Sequence, residues 1–95
     1  MAQDWKFFEP QDRLTIMSSE PLMSFLDDNG DSPIRISMRN QKRPDSRVLQ
    51  VLLTAGRDWK IRNLGFDVFD LPPRLVQDFA RLGLNAENTG WSGLK

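Results

Sequence analysis

The chain has 95 residues, and its 13 lysines and arginines balance its 13 aspartates and glutamates. It has no cysteine, histidine or tyrosine, which excludes disulfides, thiolate catalysis, cysteine-based zinc sites and histidine as a general base or metal ligand. No stretch approaches the roughly 20 apolar residues of a membrane helix, and the charged first ten residues do not resemble a signal peptide, so the cytosol is the expected compartment.

The charges are unevenly distributed along the chain. Residues 1–34 have a net charge of −5, residues 35–62 have +6 and residues 63–95 have −1. A basic middle segment indicates an anionic partner, and acidic flanks indicate partial masking of that segment by the chain itself.

The first predicted elements are short. Residues 5–8 are a predicted edge strand, and the alternation of residues 13–18 predicts a second strand. Ser19 as an N-cap predicts a short helix over 19–26. A continued strand that ends in a turn at Asn29-Gly30 is the alternative.

Three strands are predicted in the middle of the chain. Apolar and polar residues alternate over 34–38, 48–54 and 59–63. A hairpin centred on Gly56 joins the second and third of these strands, because that register brings their apolar faces together. Residues 66–69 extend the third strand or form a fourth.

A helix is predicted over 72–82. Two consecutive prolines fit its first turn, the apolar residues that follow repeat at helical spacing, and Gly83 is typical of a helix C-terminus. The predicted fold is therefore α+β, with an antiparallel sheet of four to five strands and the C-terminal helix packed on one face. One domain is expected over residues 1–84, followed by a flexible tail over 85–95.

The predicted loop over 40–46 and the outer face of the predicted sheet carry the candidate site. A basic hairpin can follow nucleic-acid phosphates, and guanidinium groups suit bidentate phosphate contacts. We therefore predict a non-catalytic module that binds DNA or RNA and needs no cofactor or metal. The predicted contacts are Arg39, Lys42, Arg43 and Arg47, supported by Arg35, Lys60 and Arg62.

Other interpretations of the same residues stay open. Loops and outward strand faces are often charged because they are solvated, and edge strands use lysine and arginine against aggregation. An acidic protein partner would also fit the basic segment. The alternative function is a small protein-binding regulator or inhibitor that acts through its aromatic termini or through charge complementarity. Its aromatic residues near the termini would cap the core or form an interface, including that of a homodimer; they are Trp5, Phe7, Phe8 and Trp91.

One short motif has a catalytic interpretation. Pro44-Asp45 followed by Asp58-Trp59-Lys60 resembles the motif of the PD-(D/E)xK nucleases. The resemblance implies two aspartates that bind magnesium and a lysine that orients water or stabilises charge. In the predicted hairpin the two carboxylates would lie on the order of 30 Å apart, whereas a shared metal needs ligand distances near ~2 Å. A metal-dependent nuclease is thus a third hypothesis, and the expected class is not an enzyme.

Overall fold

The structure, a computed structural model, describes residues 4–11, 13–43 and 45–95. Strands and helices alternate along this part of the chain as β1 (Lys6–Phe8), α1 (Glu20–Asp28), β2 (Ile34–Ser37), α2 (Ser46–Ile61), β3 (Phe66–Phe69), α3 (Pro73–Arg81) and α4 (Ala86–Thr89). Short 3₁₀ turns at Ile16–Ser18 and Ser92–Leu94 precede α1 and follow α4.

The described strands form a three-stranded, entirely parallel sheet in the order β1-β2-β3. Lys6, Ile34 and Phe66 are aligned across it. The predicted antiparallel sheet of four to five strands is therefore wrong. A helix joins each strand to the next. Such a crossover brings the chain back to the end of the sheet at which the previous strand began, so that neighbouring strands run in parallel.

The predicted central hairpin is also wrong, because its residues form the single helix α2. The Asp45 carboxylate caps this helix and accepts hydrogen bonds from the backbone N–H groups of Arg47 (2.9 Å) and Val48 (3.4 Å), as is typical of an N-cap. Gly56, the predicted turn, lies inside the helix. The buried side chains of α2 follow helical spacing and are Val48, Leu49, Leu52, Ala55 and Trp59.

Elements outside α2 lie closer to their predicted positions. The structure has a strand within 5–8, a helix where 19–26 was predicted to be helical, and α3 within 72–82. The strand predicted over 13–18 is wrong. A 3₁₀ turn forms at its end instead, where the Ser18 N–H donates to the Thr15 carbonyl at 3.0 Å, so the chain is bent locally and does not pair with the sheet.

The core lies between the helices and one face of the sheet. The ring of Phe8 in β1 stacks on Phe25 of α1, with 5.0 Å between centroids. Phe66 of β3 lies 6.1 Å from Trp59 of α2. Phe79 of α3 lines a small cavity together with buried residues of α2. The three longest helices thus pack on the same side, and right-handed crossovers in a sheet of this order require this of α1 and α2, the two helices that connect strands.

The segment after α3 lies along β3. Trp91 is 1% exposed, and its ring lies 6.2 Å from that of Phe79. The backbone N–H of Ser92 donates to the Asp67 carboxylate at 2.7 Å. The mobility of residues 85–95 stays a prediction, but in the structure this segment borders the sheet.

Candidate functional site

The face of the sheet opposite the helices carries the candidate site. Strand alternation places Trp5, Phe7, Arg35, Asp67 and Phe69 on it, and we call these residues the open face. Trp5 is 49% exposed and Phe7 is 57% exposed. Parallel sheets are normally covered on both faces, so exposed aromatic side chains on a face without a described α-helix over it mark a candidate contact surface.

The aromatic side chains of the open face lean from β1 across β2 towards β3. The Phe7 ring lies 5.8 Å from that of Phe69, at an interplanar angle of 52°. The Cζ atom of Arg35 lies 4.1 Å from the Phe69 centroid, within the range of a cation–π contact. The Trp5 indole lies over Gly65. Together these rings form an apolar centre on the open face.

The arginines on this side of the sheet form ion pairs with carboxylates. Arg35 Nε lies 3.8 Å from Asp67 Oδ2. Just beyond the strands, Arg39 Nη2 lies 3.1 Å from Glu9 Oε2, and the Ser37 hydroxyl donates to the same carboxylate at 3.0 Å. Exposed pairs of this kind add little stability, but they leave the face close to neutral, so it does not favour an anionic ligand.

The seven predicted nucleic-acid contacts do not share one surface. Arg35 and Arg39 belong to the open-face side and are paired as described. Lys42, Arg43 and Arg47 lie in the loop before α2 and in its first turn, where all three are exposed.

Lys60 and Arg62 lie at the opposite end of α2. At a rise of 1.5 Å per residue, they are about 20 Å from the first turn. Arg62 pairs with Asp58 at 2.9 Å and lies over the ring of Trp59, with 4.3 Å between Cζ and the centroid. The predicted set is therefore divided over three regions, because α2 replaces the hairpin that would have collected it.

The aromatic residues near the termini are also divided. Phe8 packs against the helices, and Trp91 is buried in the core. Trp5 and Phe7 remain exposed on the open face. Two of the four predicted interface residues therefore cap the core, and the other two are available to a partner.

The structure also gathers cations outside the predicted set of contacts. Arg74 and Arg81 of α3 line one groove together with Arg43. The spacing of Arg74, Asp78 and Arg81 within a correctly predicted helix indicates a shared helix face. The approach of Arg43 could not be foreseen, because it depends on how α2 and α3 pack.

The nuclease-like motif does not form a metal site in the described part of the chain. Asp45 caps the start of α2 and Asp58 lies near its end, which places them about 20 Å apart along the helix. Pro44 lies outside the described residues. Within residues 4–11, 13–43 and 45–95, no three acidic side chains gather as metal ligands.

Comparisons with family models, curated proteins and solved structures found no match for this chain. Among the residues described, no helix is both long enough and apolar enough to cross a membrane. The function must therefore be inferred from the surfaces themselves.

Proposed function

We propose that this protein is a non-catalytic protein-binding module and that the open face is its contact surface. The observation that carries the proposal is the exposure of Trp5 and Phe7 on the β1 side of a parallel sheet face that none of the described α-helices covers, while the segment at Ser92 borders the same face only along β3. Aromatic residues and arginine dominate the energetic centres of protein interfaces. The open face supplies both, with Arg35 held against Phe69.

The charge of the open face supports a protein partner over a polyanion. A nucleic-acid surface needs a clustered basic footprint, whereas the cations here are matched by Asp67 and Glu9. The partner that fits is a folded protein with an apolar surface for the two exposed rings and polar groups at its rim. Such a partner would bury the rings without leaving a buried charge unpaired.

Nucleic-acid binding remains a second candidate function. It is supported by the exposure of Lys42, Arg43 and Arg47 on consecutive parts of one loop and helix start. Catalysis by the chain is not proposed. Its cytosolic location and the formation of a homodimer stay predictions.

The proposal can be tested by site-specific photocrosslinking in cells, with a photoreactive phenylalanine analogue at position 7 or, as control, at position 17. Met17 is an apolar residue that is 93% exposed and is not part of the open face. A protein partner should crosslink from position 7 and not from position 17. Equal labelling from both positions would argue against the open face as a specific surface.

The captured partner is then purified and its affinity measured for the wild type, Phe7→Asp and Met17→Asp. An aromatic residue at an interface centre contributes about 2 kcal/mol or more, so Phe7→Asp should weaken binding by at least about tenfold. Met17→Asp should bind like the wild type. An unchanged affinity for Phe7→Asp, with a melting curve like that of the wild type, would contradict the proposal.

A further inference from the structure

Three arginines converge on one groove beside α3. Arg74 and Arg81 project from this helix, and Arg43 reaches the groove from the loop before α2. The groove has a volume of about 370 Å³, and its other lining residues are Asp78 and Leu82. We call it the arginine groove.

The arginine groove has an excess of positive charge. Among the lining residues that the structure describes, three arginines and one aspartate give a formal net charge of +2. Asp78 Oδ1 lies 3.4 Å from Nη1 of Arg81, and it is the carboxylate that lines the groove. Of the carboxylates in the described ranges, none forms an ion pair with Arg43 or Arg74. As far as the described residues go, two guanidinium groups are therefore available to an incoming anion.

The charge of the groove fits one class of ligand. Guanidinium groups bind phosphate oxygens bidentately, and a phosphate monoester carries about −1.5 to −2 charges at neutral pH, which would balance the charge of the groove. A volume of about 370 Å³ exceeds what a phosphate group alone requires, so this open groove also has room for the organic part of a ligand. Leu82, which is 56% exposed, offers an apolar wall to the organic part of the ligand.

We infer that the arginine groove binds a phosphate monoester, with Arg43 and Arg74 as the principal contacts. Arg81 is held by Asp78 and completes the positive rim. This site uses none of the open-face residues, so it is independent of the protein-binding function proposed above.

The test is a two-dimensional NMR titration of the full chain with inorganic phosphate, O-phosphoserine and adenosine 5′-monophosphate. Chloride keeps the ionic strength constant, so that general screening does not contribute to the shifts. Saturable shifts are expected at the backbone amides of Arg43 and residues 74–82. Tighter binding of phosphoserine would identify a phosphorylated protein as the source of the phosphate group, and tighter binding of the nucleotide would identify a small metabolite.

Three variants make the test specific. Arg43→Ala combined with Arg74→Ala should weaken binding at least tenfold, whereas Arg57→Ala, which removes an exposed arginine of α2 outside the groove, should leave it unchanged. Asp78→Asn should tighten binding by about threefold, because it removes a nearby like charge. A gain of affinity cannot result from unfolding.

Several results would overturn the inference. Shifts that stay linear up to high phosphate concentration, or that spread evenly over exposed cations, would show general ion binding only. Unchanged binding in the double arginine variant would exclude the two principal contacts. Unchanged or weaker binding in Asp78→Asn would contradict the charge balance on which the site depends.

Discussion

The indole of Trp5 covers Gly65 from the far side of β2, so that a Cβ at position 65 would lie 2.8 Å from Cζ2 of Trp5. The contact connects the two edge strands across the open face. The contact can be tested by measuring the free energy of unfolding, because substitutions of the glycine and the indole should be energetically coupled.

Gly65→Ala should therefore destabilise the protein by about 1 kcal/mol, a value at the lower end for overpacking because the half-exposed indole can move away. In the Trp5→Ala background the same change should cost little, since the clash is gone. Urea unfolding of the four proteins measures this coupling. An equal cost in both backgrounds would contradict the contact. Gly30→Ala is the control, because its Cβ would meet the end of a flexible arginine at 3.3 Å.

Gly93→Ala should disrupt the packing of the segment that follows α4 against β3. A Cβ there would lie 2.9 Å from the Phe69 Cα and 3.0 Å from the Val68 carbonyl oxygen, and strand backbone cannot yield as a side chain can. We expect a loss of about 1–3 kcal/mol, with the total tryptophan emission shifted to the red because the buried Trp91 becomes exposed.

Gly56→Ala is the matched control for this change. Gly56 lies inside α2, and its Cβ would make an ordinary contact with Phe66 at 3.5 Å. Removing a glycine from a helix interior should stabilise the protein by roughly 0.5–1 kcal/mol. Opposite signs for the two glycines are the expected result, and a neutral Gly93→Ala would mean that the segment does not pack on β3.

Asp45→Ala should destabilise the protein by about 1 kcal/mol, because it removes the N-cap of α2. Asp58→Ala, which breaks an exposed pair with Arg62, should cost only about 0.3–0.5 kcal/mol. Chemical denaturation measures both values. A nuclease would instead show magnesium-dependent DNA cleavage that either change abolishes, and we expect no such activity.

The salt dependence of nucleic-acid binding distinguishes a small basic surface from a continuous one. If only Lys42, Arg43 and Arg47 contact a single strand, the slope of log K against log salt should be about −2, whereas seven contacts would give about −5. Anisotropy titrations of a labelled oligonucleotide at several salt concentrations measure it. A slope near the larger value would mean that the separated cations act together after all.

One misassigned element accounts for most of the difference between the predicted and observed folds. Residues 49, 51 and 53 alternate as in a strand, but the buried positions of α2 follow helical spacing. The glycine at position 56 was interpreted as a turn, although a helix held by tertiary packing tolerates it at a cost of about 1 kcal/mol. The N-cap at Asp45 was the local signal that favoured the helix.

The sheet type follows from the same element. With a helix over Ser46–Ile61, strands and helices alternate regularly, and that order indicates a parallel sheet. The predicted hairpin over the same residues would instead make its two strands antiparallel, and the predicted sheet was antiparallel for that reason. The exposure of Phe7 could not be predicted either, since it depends on which face of the sheet the helices cover.

Strand pairing in this molecule repeats the order of the chain. Lys6 pairs with Ile34 and Ile34 with Phe66, at separations of 28 and 32 positions. Each described strand pairs only with the strand that precedes or follows it in the chain. During synthesis on the ribosome, each strand can join the sheet as it emerges, because the strand before it is already in place.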